Sequence, residues 1–152
     1  MGRRSQPDAP IPRQIALILV DTSAWIEYLR GTGSSINRRV RALLESNKML
    51  ASTEVVVMEL LAGARDDMHW QSLRRLLFGC EFLPLAGLAD FEDAAALYRQ
   101  CRRVGTTLRS LTGCLIAVVA IRSGAEILHA DRDFDTIAMH SELRIASSTR
   151  SR

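Results

Sequence analysis

The sequence predicts a single α/β domain built on a mostly parallel sheet. Three observations carry this expectation. Short apolar runs alternate with segments of helical periodicity along nearly the whole chain, the pattern of strands joined by crossover helices. The first run, residues 15–20, is apolar at every position, as in a strand buried on both faces. No long hinge, internal repeat or low-complexity tract interrupts the 152 residues, a length that suits one domain with a sizeable core.

Taken in order, residues 1–14 carry Pro7, Pro10 and Pro12 without apolar periodicity and read as a flexible N-terminal arm. The run 15–20 forms the first strand and ends at Asp21. Thr22 and Ser23 can cap a helix to about residue 30, which Gly31 and Gly33 break. A second helix over 34–47 places Ile36, Val40, Leu43 and Leu44 on one face. Residues 49–51 read as a short strand, and Thr53 can cap a helix over 54–65. The next helix, 66–78, turns Trp70, Leu73 and Leu77 inward. A strand is expected at 81–85. The helix over 90–104 has Phe91, Ala94, Ala95, Tyr98 and Cys101 on its apolar stripe. A helix over 110–122 stops at Gly124, a suitable C-terminal cap. A strand at 127–129, a short helix at 133–140 and a last strand at 143–146 complete a domain spanning 15–147, with 148–152 as a tail.

Composition narrows the functional classes. Hydrophobic content of 47% and charged content of 24% are ordinary for a globular protein. No apolar run approaches the roughly 20 residues that span a bilayer, and the run after the basic N-terminus is short for a signal peptide. A cytoplasmic protein without membrane contact is expected. Cys80, Cys101 and Cys114 are odd in number and lack a C-x-x-C, which favours reduced, buried thiols over disulfides or zinc. The net charge of +3 is mildly basic, and Lys48 is the only lysine. Arginine suits bidentate phosphate recognition, although GC-rich coding gives the same bias.

The candidate chemistry is carried by carboxylates. Sites in open α/β sheets form beyond the carboxyl ends of the strands. Asp21 stands there after the first strand, and Asp131 and Asp133 follow the strand at 127–129. A helix-capping role is the plain alternative for Asp21. Glu59 is the only polar residue between Val55 and Ala62, so it cannot lie on a polar helix face. A carboxylate in such surroundings needs an arginine, a proton or a metal ion. Carboxylates that converge repel one another unless a cation neutralises them, and hard oxygen ligands favour Mg²⁺ or Mn²⁺. Such ions activate water and stabilise the charge of phosphodiester cleavage. No G-x-S-x-G motif or P-loop offers a rival chemistry. The run Asp131-Arg-Asp133-Phe-Asp135 followed by Glu142 mimics EF-hand spacing but has Thr136 where the sharp turn needs glycine.

With these residues assembled, the chain resembles a PIN-domain protein of the VapC toxin branch, from about residue 18 to 146. The marks are Leu19-Val-Asp-Thr-Ser-Ala-Trp25, Glu59-Leu-Leu-Ala-Gly63, Leu115-Ile-Ala117 and His129-Ala-Asp-Arg-Asp-Phe134. The resemblance implies a PIN-like three-layer α/β sandwich with a mostly parallel central sheet flanked by helices. It implies an Mg²⁺- or Mn²⁺-dependent ribonuclease cutting structured RNA such as tRNA or rRNA. It further implies a homodimer held in check by a VapB-type antitoxin, with operator DNA contacted only through that antitoxin. By position, Asp21, Glu59 and Asp131 match the family's acidic ligands, Asp133 assists through water, and Ser23 supports the site.

One departure matters. The family places an aspartate before the Cys-Leu-Ile-Ala stretch, and here that position is Gly113. No Asp or Glu lies between Asp93 and Glu126 to compensate. Glycine is also a poorer helix residue than alanine by up to about 1 kcal/mol, so helix stability does not favour it. The expected site is therefore one metal ligand short. It reads as an inactivated version, a decayed natural site, or a gap filled by water and substrate phosphate. A catalytically inactive PIN domain serving as a binding module for antitoxin or RNA is the alternative. Among the basic residues, Arg38, Arg39, Arg102, Arg103 and Arg109 are candidates for RNA phosphate contacts, with solvated helix faces as the plain alternative. His69, His129 and His140 show no ligand spacing and read as structural.

Overall fold

The structure, a computed structural model, describes residues 16–46 and 49–148. The arm expected at 1–14, the first position of the expected strand at 15–20, the last expected turn of the second helix at residue 47, and tail residues 149–152 lie outside that range.

Five short strands form one sheet: β1 Ile18–Val20, β2 Leu50–Ser52, β3 Glu81–Phe82, β4 Glu126–Leu128 and β5 Arg144–Ile145. Their order is β3-β2-β1-β4-β5, and every pairing is parallel. The expectation of a mostly parallel sheet is met in full. β1, fully buried as its unbroken apolar run required, lies at the centre. The chain winds outward from β1 to β3, then returns across it to add β4 and β5. Because parallel crossovers keep one hand, this reversal puts helices on both faces of the sheet and yields three layers.

Seven helices supply the outer layers: α1 Thr22–Leu29, α2 Ser35–Glu45, α3 Glu54–Ala62, α4 Asp67–Phe78, α5 Leu88–Arg103, α6 Leu111–Ser123 and α7 Asp133–Met139. Helix α6 is buried continuously from Cys114 to Ala120, as expected of a helix apolar on all sides. It ends on Gly124 in the left-handed conformation at φ 65°, which only glycine adopts without strain. Trp25, Leu19, Ile127 and Phe134 are among the largest fully buried side chains, each worth roughly 1.5–3 kcal/mol against exposure.

Several local expectations are corrected. Asp21, rather than Thr22 or Ser23, caps α1, its carboxylate accepting from the Ser23 amide. Thr53 occupies the N-cap of α3 without a side-chain capping bond; its hydroxyl donates to Glu54 Oε2 at 3.0 Å. Helix α3 stops at Ala62, three residues early, on Gly63. β3 ends at Phe82 because Leu83 makes one more ladder bond, to Ser52 O at 2.8 Å, and Pro84 has no N–H to continue it. Trp70 lies 41% exposed and Phe91 51% exposed, so neither faces the core. In α5 the buried stripe is Asp90, Ala94, Leu97 and Cys101, about one residue out of phase with the expected one. An ion pair between the buried Asp90 and the partly exposed Arg122 accompanies that phase.

All three cysteines are free, Cys101 and Cys114 buried and Cys80 half-buried. Burial pushes the Cys114 thiol up to about 12 and Cys80 to about 11, which keeps both protonated and unreactive. Among the described residues no helix is long and apolar enough to cross a membrane.

Candidate functional site

β1 and β4 are neighbours at the point where the strand order reverses, the position at which open α/β sheets form a crevice. Register pairs Val20 with Leu128, so both strands stop at the same level. The Asp21 amide then donates to Leu128 O at 2.9 Å. Asp21 and the turn carrying Asp131 are thus fixed side by side, as the sequence expectation required.

Asp21 is 4% exposed. Its Oδ2 accepts from the Ser23 amide at 2.9 Å and from Ser23 Oγ at 2.5 Å. Ser23 Oγ in turn accepts from the Ala130 amide at 2.9 Å. One hydroxyl therefore ties the end of β1 to the turn after β4, and the expected supporting role of Ser23 has a physical form. Burial pushes the Asp21 carboxyl above its usual range; the Ser23 hydrogen bonds oppose this, and the Asp131 charge adds to it.

Glu59 lies in the middle of α3, half-buried. Its Oε1 accepts from Thr22 Oγ1 at 3.0 Å. Burial also pushes the Glu59 carboxyl up, opposed by the Thr22 bond, with the charge of Asp21 adding to the rise. Glu59 is therefore brought to the same charge cluster as Asp21 and finds a hydroxyl rather than a cation. The residue that sequence reasoning passed over is Thr22, read only as a cap; its position directly after Asp21 was the available signal.

On the opposite wall the cluster does meet a cation. Arg109 NH2 donates to Asp131 Oδ1 at 2.8 Å, its Nε lies 3.8 Å from Asp133 Oδ1, and its backbone amide donates to Asp133 Oδ2 at 2.8 Å. The Asp133 amide donates to Asp131 Oδ1 at 3.0 Å. Asp133 and Asp135 belong to helix α7, which leaves no room for an EF-hand loop.

Gly113 completes the outline. It is the third residue of α6, whose first turn is capped by Ser110 and contains no acidic residue. Asp21, Thr22, Ser23, Glu59, Asp131, Asp133 and Gly113 line one cleft of about 200 Å³. A Cβ at Gly113 would meet only Phe134 Cζ, at 3.8 Å. That is ordinary contact, so the position would accept a side chain directed at the cleft. A carboxylate there would also lie in the first turn of a helix, where the dipole favours negative charge.

The donor chemistry, all carboxylate and hydroxyl oxygen, is that of a hard divalent cation. The number falls short. Among the described residues no three His, Cys, Asp or Glu side chains converge as a ligand set. Asp21 instead accepts from Ser23, Glu59 from Thr22 and Asp131 from Arg109.

The other basic candidates lie elsewhere. Arg38 and Arg39 line a groove of about 660 Å³ with Arg41, and Arg39 Nε donates to Ser147 O at 3.1 Å. Arg102 and Arg103 line a separate recess with Arg99. Neither depression shares a lining residue with the acidic cleft. Of the five arginines, only Arg109 touches its carboxylates.

Comparison with known proteins bears on the family and the fold. The family model described as PIN domain matches residues 18–139. The chain is 48% identical over 132 residues to VapC ribonuclease Mb1587 of Mycobacterium bovis, covering 86% of this chain and 98% of that protein. It is similar to the same extent to ribonuclease VapC11 of Mycobacterium tuberculosis. Its fold resembles the solved VapBC-1 of nontypeable Haemophilus influenzae, with a TM-score of 0.68 at 18% identity, over 88% of this chain and 99% of that one. It also resembles VapBC2 of Rickettsia felis, solved bound to a promoter DNA fragment, with a TM-score of 0.66 at 16% identity, covering 86% and 97%.

Proposed function

Because this chain belongs to the PIN-domain family, and within it to the VapC branch, we propose that it is a toxin-type RNA endonuclease with an incomplete metal centre. The observation that carries this reading is the acidic cleft at the β1–β4 switch point, open at Gly113. The ion would be Mg²⁺ or Mn²⁺, and Asp21, Glu59 and Asp131 would hold it, with Asp133 assisting through water. When bound, such an ion activates water and stabilises the charge that develops on phosphate. This chain's own residues prepare for that role without completing it. Ser23 sets the orientation of Asp21, and Thr22 sets that of Glu59. Burial holds both carboxyls above their usual range, a cost to their charged forms that a bound cation would offset.

The partners follow from the relatives. RNA is the substrate class, supported by the ribonuclease names of the 48%-identical relatives, and structured RNA such as tRNA or rRNA is the form that the family resemblance implies. A VapB-type antitoxin is the inhibitor, supported by the similarity to solved VapBC pairs. The active unit is a homodimer in the cytoplasm, meeting operator DNA only through the antitoxin. Arg38, Arg39, Arg102, Arg103 and Arg109 supply salt-dependent phosphate contacts. A second reading, a PIN domain retained only for binding, is favoured by one observation: Arg109 already neutralises Asp131 and Asp133.

RNA cleavage by the antitoxin-free chain, measured beside its Gly113→Asp version in Mg²⁺ or Mn²⁺, separates the two. The endonuclease reading expects Gly113→Asp to cut faster by at least about a hundredfold, the upper end of what even outer-shell partners of a metal contribute. Equal, absent cleavage by both over a panel of tRNA and rRNA would favour the binding module.

A further inference from the structure

Behind Asp131 sits a histidine that the metal-site reading does not use. His129 follows β4 directly, and its side chain is 9% exposed. Its ring packs on Phe134, with centroids 5.3 Å apart, and Phe134 lines the acidic cleft opposite Gly113. Both ring nitrogens are engaged, in opposite senses. Nδ1 accepts from the Asp131 amide at 3.1 Å. Nε2 lies 3.2 Å from Asp135 Oδ1, a group that accepts only. An atom that accepts from N–H presents a lone pair, and one that faces a carboxylate presents a proton. The ring therefore carries its proton on Nε2.

We propose that His129 is a positioning residue that fixes the Asp131 turn through this tautomer. Asp135 on α7 orients the ring, and the ring holds the Asp131 amide. Asp131 is fixed further on, since its Oδ1 accepts from the Asp133 amide at 3.0 Å and its backbone O from the Phe134 amide at 3.2 Å. With its backbone held at both ends, the Asp131 carboxylate faces the cleft without having to be ordered on binding. Partners one step removed from a metal commonly matter in this way, by fixing the direction of the ligand. A side chain buried only for packing would need neither polar contact, and a hydrocarbon of similar size would serve.

The inference rests on the proposed metal-dependent reading, and its test keeps the two apart. Long-range ¹H–¹⁵N spectra of the chain report the tautomer directly, and hydrogen exchange reports protection of the Asp131 amide. Mn²⁺ binding, followed by electron paramagnetic resonance, is measured in the Gly113→Asp version, alone and with each change at His129. His129→Asn places an amide oxygen where Nδ1 was and should keep both the amide protection and Mn²⁺ affinity within about twofold. His129→Leu should lose the protection and weaken Mn²⁺ about tenfold. Asp135→Ala, which removes the acceptor at Nε2 and leaves the ring packing intact, should let the Nδ1-protonated tautomer appear in the same spectra. A proton on Nδ1 in the unsubstituted chain, Mn²⁺ binding indifferent to His129→Leu, or equal losses in the Asn and Leu variants would each overturn the role. Absence of Mn²⁺ binding by the Gly113→Asp version would overturn the metal-dependent reading itself, and the role with it.

Discussion

Asp90 and Asp21 are both almost wholly buried, 1% and 4% exposed, and both approach the start of a helix, yet they live under opposite electrostatics. Asp90 meets Arg122 through two hydrogen bonds, at 3.0 and 2.8 Å, and also accepts from the Ala86 amide at 2.8 Å. The Arg122 hydrogen bond holds its carboxyl below the usual range despite burial. Arg122 spans further, to Pro84 O at 2.8 Å, so the pair pins α5 and α6 to the chain following β3. Asp21 receives hydroxyl and amide donors but no cation, and burial prevails, pushing its carboxyl up. One charge is satisfied and holds the fold together; the other is kept short of a partner where a ligand would supply it. The depressed carboxyl lies in the structural pair and the raised ones lie in the acidic cleft.

The comparison breaks most visibly at Asp90. Asp90→Ala should lose about 2–3 kcal/mol by urea unfolding, less than the roughly 3–5 kcal/mol of a fully buried pair, because the Arg122 side chain is 40% exposed and can reach water. Asp21→Asn should do the reverse. Asparagine caps a helix as well as aspartate does, so the metal-free chain should gain about 1 kcal/mol at neutral pH while losing affinity for Mn²⁺. An equal loss in both variants would erase the distinction.

The same contrast has a pH signature. Asp21 and Glu59 have folded values above their ordinary 3.8 and 4.5. In the window from those ordinary values up to the folded ones the native state binds more protons than the unfolded state, so these groups lower stability as pH rises. Asp90 has a folded value below 3.8. Its contribution is present above 3.8 and is lost as pH falls through the folded value. Urea midpoints measured against pH should therefore keep an acid limb in Asp21→Asn and lose the decline above 3.8 that belongs to Asp21. An unchanged profile in that variant would sink the assignment.

Smaller effects sharpen the picture around the open corner. Gly113→Ala should stabilise the chain by about 0.5–1 kcal/mol through helix propensity, since its Cβ meets nothing nearer than 3.8 Å. It should not raise Mn²⁺ affinity, which separates a missing side chain from a missing carboxylate. Arg109→Ala should change stability by under about 0.5 kcal/mol, because the arginine is 72% exposed and such pairs are screened by solvent. Its signal should appear in binding instead: with Asp131 and Asp133 released, Mn²⁺ should bind the Gly113→Asp version several-fold tighter.

Legibility in the sequence followed the range of the interaction. The run before Asp21 is apolar at every position, and residues 18–20 of it form the buried strand, whereas Leu17 is half-buried and Ala16 exposed, so the strand is shorter than the run. The isolation of Glu59 among apolar residues foretold a carboxylate in difficult surroundings, and its carboxyl is raised. The phase of α5 was misjudged because Phe91 and Ala95 look apolar while Asp90 looks polar. The ion pair of the buried Asp90 with Arg122, 32 residues away, reverses that order. His129 shows no ligand spacing in the sequence; its contacts to Asp131 and Asp135 arise only once the turn and α7 fold together.

What the sequence by itself determined is the architecture and the inventory: a central apolar strand, acids placed just beyond two strand ends, and glycine at position 113. These follow from local periodicity, from polarity and from residue identity, all of which are written along the chain. Only the tertiary structure decided how the charges are answered. It gave Thr22 to Glu59 across 37 residues, the Ala130 amide to Ser23 across 107, and Arg109 to Asp131 across 22. A carboxylate's partner is whichever donor the packed sheet and helices bring within about 3 Å, and sequence separation carries no record of that distance.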